Sequence, residues 1–219
     1  MCGPTVYEFN DGLHAIADTI LKGRSKRIAR NINLVVAVAG GSCSGKSYFC
    51  EKLVGALTAL NISQTKLMLD DYFRDISDPQ LPVGSGGLPL FDSPGSYQEA
   101  EIKEHLLALV SNKTVECPVY DLTRNKRSHK ETVSKNPSEV IIVDGLFAID
   151  IVRSTGVPSR YVFLDASGLL RLKRRINRDA EMFNISPDII TDVFWDQIEP
   201  AHQEFIEPQR KFADLIIKT

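Results

Sequence analysis

"VAVAGGSCSGKSYFC", Val36–Cys50, decides how the rest of the chain is read. A β-branched apolar run ends in two glycines. Small polar residues follow, then a third glycine, a lysine and a serine. A tight turn needs one or two glycines and no lysine. Gly40-Gly41-Ser42-Cys43-Ser44-Gly45-Lys46-Ser47 instead fits G-x-x-x-x-G-K-[ST] between an expected strand and an expected helix. Glycine admits positive φ, so successive backbone N–H groups can turn inward onto an anion. The helix N-terminus adds free donors and partial positive charge. The stretch from Gly40 to Tyr48 is therefore read as a phosphate cradle for ATP. Lys46 reaches the β- and γ-phosphates, and the Ser47 hydroxyl is a ligand for Mg²⁺.

Working outward, "NLVVAVAG" is the first of five short apolar runs with strand character. The others are "TKLMLD", "EVIIVDG", "RYVFLDA" and "ADLIIK". Helical patterns separate them, at Lys46–Leu60, Gln98–Val110, Leu169–Phe183 and Asp188–Phe212, the last broken near Pro200. Continuous apolar strands alternating with helices imply an α/β fold with a parallel sheet covered on both faces. Ligands of such sheets sit beyond the carboxyl ends of the strands. Two segments exceed a minimal unit. Pro79–Gly95 is a long loop rich in Pro and Gly, and Thr114–Val133 reads as a hairpin. Together they are expected to form a lip over the sheet. Before the cradle, residues 8 to 22 have helical spacing, and Arg24, Lys26, Arg27 and Arg30 read as a solvated basic connector. The organisation expected is residues 1–30 as helix and connector and 31–219 as the main domain. Within that domain, 79–133 lies on the acceptor side and 178–190 forms a lid.

Composition narrows the classes. With 219 residues, 43% hydrophobic, 25% charged and a net charge of −2, nothing draws the whole molecule to nucleic acid or to a membrane surface. No apolar run has membrane-spanning length and no secretion signal is visible, so a cytoplasmic protein is expected. The four cysteines, Cys2, Cys43, Cys50 and Cys117, form no regular framework and are read as reduced thiols.

Asp144 closes a β-branched strand, where a carboxylate can hold Mg²⁺ directly or through water. Asp70 and Asp71 close the second strand; one of them is placed to accept a hydroxyl proton. Arg171, Arg174, Arg175 and Arg178 recur at helical spacing, with Leu169, Leu172, Ile176 and Phe183 on roughly the opposite side. With no acid seen in the stripe, its guanidiniums are read as phosphate ligands. "RNKR" lacks the acid of a guanine-reading element, and Asp165 in "DASG", which follows the fourth strand, is read as a helix cap.

The order of "GGSCSGKS", "LDDYF", "FDSP", "YDLTRNKR", "VDGLFA", "KRRINRD" and "PAHQEFIEPQRKFADLII" resembles the uridine kinases, relatives of phosphoribulokinase and bacterial pantothenate kinase. The resemblance runs from about Asn31 to the end. It implies a P-loop kinase three-layer sandwich with strand order 2-3-1-4-5, a hairpin lip and a helical lid. It also implies ATP with Mg²⁺ as phosphoryl donor and the 5′-hydroxyl of a nucleoside as acceptor. Asp70 stands where such kinases place the base, Asp92 and Arg175 where they grip ribose hydroxyls, Tyr120 at the nucleobase and Arg178 at the phosphates. Phe73 and Asn125 are grouped with the acceptor. Uridine kinases often assemble into oligomers, so a homo-oligomer is compatible with the resemblance. The departures are Ser93 in place of the usual His, Leu122 and Asn125 in place of an aromatic and a His, Phe183 and Ile185 in place of two lid arginines, and Asp144 where Glu is common. They motivate two alternatives: a kinase for a non-nucleoside metabolite of the pantothenate, ribulose phosphate or glycerate type, and a non-catalytic nucleotide-binding regulator.

Overall fold

The computed structural model describes residues 4–84 and 87–219, with the His129 side chain left aside. Cys2 lies outside the described residues. Cys43, Cys50 and Cys117 are free thiols.

The run after Asn33 forms β2 (Leu34–Gly40), in which every residue is buried. Its neighbours are β6 (Val140–Asp144) and β7 (Ser159–Asp165), both parallel to it. β3 (Gln64–Met68) lies outside β6, and β8 (Leu215–Lys218) outside β7. This is the order expected. The sheet then gains a strand that was not expected: β1 (Thr5–Glu8) pairs with β8 and makes six parallel strands, in the order β1-β8-β7-β2-β6-β3.

The period of two sorts the strand residues into two cores. Val36 and Val38 face α1 (Phe9–Ala29) and α2 (Lys46–Ala59), packing with Ile16, Ile20, Phe49 and Leu53. Val35 and Ala37 face the other way, with Leu106 of α3 (Glu99–Val110) and Ile149 of α4 (Ala148–Thr155). The basic connector is in fact the end of α1. Arg24 donates from Nε and Nη2 to Glu139 at 2.7 and 2.8 Å, and its Nη2 also donates to the Asn61 carbonyl, which ties the helix to the foot of the sheet.

The hairpin is antiparallel, β4 (Val115–Asp121) with β5 (Lys126–Lys135), and bulges between Pro118 and Tyr120. α5 (Gly168–Phe183) begins at Ser167, whose hydroxyl accepts from Leu170 N. The cap is therefore Ser167; Asp165 instead accepts from Arg210 Nη2 at 2.8 Å. α6 (Pro187–Val193) opens a helical stretch that continues unevenly. It has π turns at Phe194–Ile198 and His202–Ile206, a short α segment between them, α7 (Glu199–Ala201), and a 3-10 turn at Glu207–Phe212. No described helix is long and apolar enough to cross a membrane.

Candidate active site

The loop from β2 to α2 is held open by three backbones at positive φ: Gly40 at 146°, Cys43 at 61° and Gly45 at 96°. Sequence dictates this at Gly40, where a Cβ would stand 2.6 Å from the Leu164 carbonyl. At Gly41 the constraint comes from side chains alone. A Cβ there would meet Arg171 Nη1 and His202 Nδ1, each at 2.8 Å. α2 has no side-chain cap, so its first N–H groups face the loop unclaimed. Lys46 Nζ folds back to the Gly41 carbonyl at 2.9 Å. This uncapped helix start with a lysine over it is the geometry an anion needs, so the loop fits the phosphates of a nucleotide.

The loop opens into a cavity of about 420 Å³. Of the expected residues, Ser42, Cys43, Gly45, Lys46, Ser47, Tyr48, Asp70, Phe73, Asp92, Asn125, Asp144, Arg175 and Arg178 line it. Gly40, Gly41 and Ser44 lie buried behind this lining. Tyr120 is not in the lining. Its ring packs behind Phe73, centroids 5.7 Å apart, and its hydroxyl donates to the Arg74 carbonyl at 3.1 Å. The ring that faces the cavity there is Phe73, backed by Tyr97 in a stacked pair at 4.4 Å.

Carboxylates gather opposite the loop. Asp70, in the 3-10 turn Leu69–Tyr72 after β3, has its pKa pushed up to about 6. Burial is the main cause. Lys46 opposes it, while Asp144, Asp92 and Asp71 add repulsion. Asp92 is also shifted up by burial, against the pull of Arg175 and Lys46. Asp144 closes β6 almost fully buried, and its Oδ2 has no hydrogen-bond donor, with Lys66 Nζ at 3.4 Å. A buried oxygen without a donor, close to a cradle lined by a serine hydroxyl, suits an oxygen-seeking cation; Asp144 and Ser47 would hold Mg²⁺.

The arginine stripe divides. Arg171 is 1% exposed and bonded to Glu199 and the Ala166 carbonyl, so it is a structural brace beneath Gly41. Arg174 Nη1 donates to the carbonyls of Cys43 and Ser44 and to Thr219 Oγ1. Arg175 reaches Ser42 Oγ at 3.0 Å. The stripe does contain an acid: buried Asp179 pairs with Arg175 at 3.0 Å and Arg178 at 2.7 Å. Its spacing from Arg175, four residues, was visible in the sequence. The apolar side also differs from expectation, since Leu169 is 72% exposed and Phe183 lines the cavity. His202 carried no sequence signal beyond its place in the tail. It is buried beside Arg171, and desolvation with that positive neighbour lowers its pKa to about 4.

A model of the phosphoribulokinase/uridine kinase family matches residues 35–219. The chain is 32% identical to a uridine kinase of Macrococcus caseolyticus, over 84% of this chain and 86% of that one. It is 33% identical to a uridine kinase of Oceanobacillus iheyensis, over 84% and 85%. Among solved structures, a candidate fructose transport system kinase from Silicibacter sp. TM1040 superposes with a TM-score of 0.76 at 21% identity, covering 93% of this chain and 98% of that one. A D-glycerate 3-kinase from Cryptococcus neoformans superposes with a TM-score of 0.61 at 16% identity, covering 94% and 95%. These structural likenesses concern the fold.

Proposed function

The chain belongs to the phosphoribulokinase/uridine kinase family of P-loop small-molecule kinases, and from that premise we propose that it transfers the γ-phosphoryl group of ATP to a primary hydroxyl, the 5′-hydroxyl of a nucleoside being the acceptor the sequence favours. One observation carries this reading: Lys46, Asp70 and Asp92 line one cavity, together with the first residues of the uncapped helix α2.

ATP with Mg²⁺ supplies the electrophilic phosphorus. Lys46 exchanges its bond to the Gly41 carbonyl for phosphate oxygens, where its charge stabilises the transferring group. Arg175 and Arg178, held by Asp179, present guanidinium edges to the same oxygens. Asp70, with a pKa of about 6, is ionised at neutral pH and basic enough to accept the hydroxyl proton. Asp92 takes hydrogen bonds from other hydroxyls of the acceptor and fixes its approach. Ser47 and Asp144 would hold the metal. A second reading keeps the chemistry and changes the acceptor to a non-nucleoside metabolite. Leu122 and Phe183 favour it, because they bring apolar groups to the lining.

ADP release should be stimulated by a hydroxyl acceptor and matched by a phosphate monoester in phosphorus NMR. Equal ADP release with and without every nucleoside and sugar tried would contradict the proposal.

A further inference from the structure

Phosphoryl transfer from ATP, the reading on which this inference rests, needs a cradle whose N–H groups already face the phosphates before the nucleotide arrives. The loop sets part of that geometry itself. Ser44 N–H donates to the Gly41 carbonyl at 3.0 Å, and Lys46 Nζ donates to the same oxygen at 2.9 Å. The next peptide, Ser44–Gly45, is held from outside. Turning it over changes ψ of Ser44 and φ of Gly45, and glycine accepts either sign of φ. Gly45 stands at 96°. The residue that lets the loop bend therefore also lets this peptide flip with little strain.

The hold comes from two other elements. Thr219, directly after β8, donates from Oγ1 to the Ser44 carbonyl at 2.8 Å. Its own N–H donates to the Asp165 carbonyl at the end of β7, at 3.1 Å, which ties the residue to the sheet. Arg174 of α5 donates from Nη1 to the Ser44 carbonyl and to Thr219 Oγ1, both at 3.2 Å, and reaches the Cys43 carbonyl at 3.5 Å. Arg174 borders the cavity, yet this nitrogen is engaged with the loop and Thr219. The two donors occupy both acceptor sites of the Ser44 oxygen. In a planar trans peptide the N–H points opposite to the C=O, and no described peptide is cis. With its carbonyl drawn toward Arg174 and Thr219, this peptide turns the Gly45 N–H the other way.

We propose that Arg174 and Thr219 are positioning residues of the donor site: together they hold the Ser44 carbonyl outward so that the Gly45 N–H is presented to the phosphates. A flipped peptide would replace that donor with a carbonyl oxygen, which repels phosphate oxygens. Arg174 thus acts on the nucleotide through the loop, and a neutral threonine acts with it.

The test is calorimetric titration of the full chain with a non-hydrolysable ATP analogue and Mg²⁺, with the Gly45 amide followed by NMR in glycine-labelled protein. Thr219→Val keeps the shape of the side chain and removes the hydroxyl. It should weaken uptake about 3–10-fold, Arg174→Met should do so by a similar factor, and Thr219→Ser should stay within about twofold of wild type. In wild type the Gly45 amide proton should move downfield when the analogue binds, as expected for a hydrogen bond to an anion. That displacement should shrink in Thr219→Val. Uptake by Thr219→Val within about twofold of wild type would overturn the proposal, even if its Tm falls. A loss in Arg174→Met with none in Thr219→Val would make Arg174 a phosphate ligand in its own right. An equal loss in Thr219→Ser would remove the hydroxyl as the cause, and a Gly45 amide unmoved in wild type would remove its contact with phosphate. Each of these results leaves phosphoryl transfer standing, whereas no uptake by wild type would overturn both.

Discussion

Asp70→Asn should lower kcat by about 10²–10⁴, the range a positioned general base contributes, while affinity for ATP with Mg²⁺ stays within a few-fold of wild type. The two effects separate because Asp70 lies in the turn after β3 and is not part of the loop that grips phosphate. Its pKa of about 6 adds a pH signature. A base must be ionised to work, so wild-type kcat/KM should fall about tenfold per pH unit below about pH 6. Stability should respond in the opposite sense. The folded-state pKa is raised above the ordinary carboxylate value, so the folded protein holds this proton more tightly than the unfolded chain does. The stabilisation is complete below about pH 4 and is lost as pH rises through about 6. At about pH 8 the buried charge costs on the order of 2–3 kcal/mol, part of which Asn recovers. In nucleotide-free protein with chelator present, Asp70→Asn should therefore melt higher than wild type at about pH 8 and no higher at about pH 4.5. A variant as active as wild type would remove Asp70 from the chemistry. A lower Tm at both pH values would contradict the electrostatic account.

Lys46→Ala should act at the donor side. Loss of a preorganised cation at developing charge costs about 10²–10³ in kcat, and ATP affinity should weaken as well because the same charge contacts phosphate in the ground state. Lys46 is also the leading force holding down the pKa of Asp70. Residual activity in Lys46→Ala should accordingly show its acid limb at higher pH than wild type. Unchanged ATP binding together with an unmoved limb would show that Lys46 faces neither group.

The cradle and the five central strands were legible because their signals are local. A G-x-x-x-x-G-K-S stretch states its own backbone needs, and β2 and β6 are unbroken apolar runs up to their last residue. β1 was not legible. Four mostly exposed residues carry no strand pattern, and only pairing with β8 makes them one. The α5 arginines show a different limit. Periodicity placed Arg171 with Arg174 and Arg175 but could not tell which would be buried. That depends on Glu199, 28 residues away, which enters through the uneven helical stretch after α6. Tyr120 stood in the right hairpin, yet the bulge beside it and the Arg74 carbonyl turn its hydroxyl away from the cavity, and Phe73 takes the position facing it. The acid of α5, Asp179, was visible at helical spacing and needed only to be weighed.

Calorimetric titration of the protein with a non-hydrolysable ATP analogue, with and without Mg²⁺, addresses the loop between β2 and α2 most directly. Uptake at one site per chain is expected, stronger with the metal and greatly weakened in Lys46→Ala. No detectable uptake by wild type with Mg²⁺ present would contradict the assignment of that loop to phosphate and every role built on it.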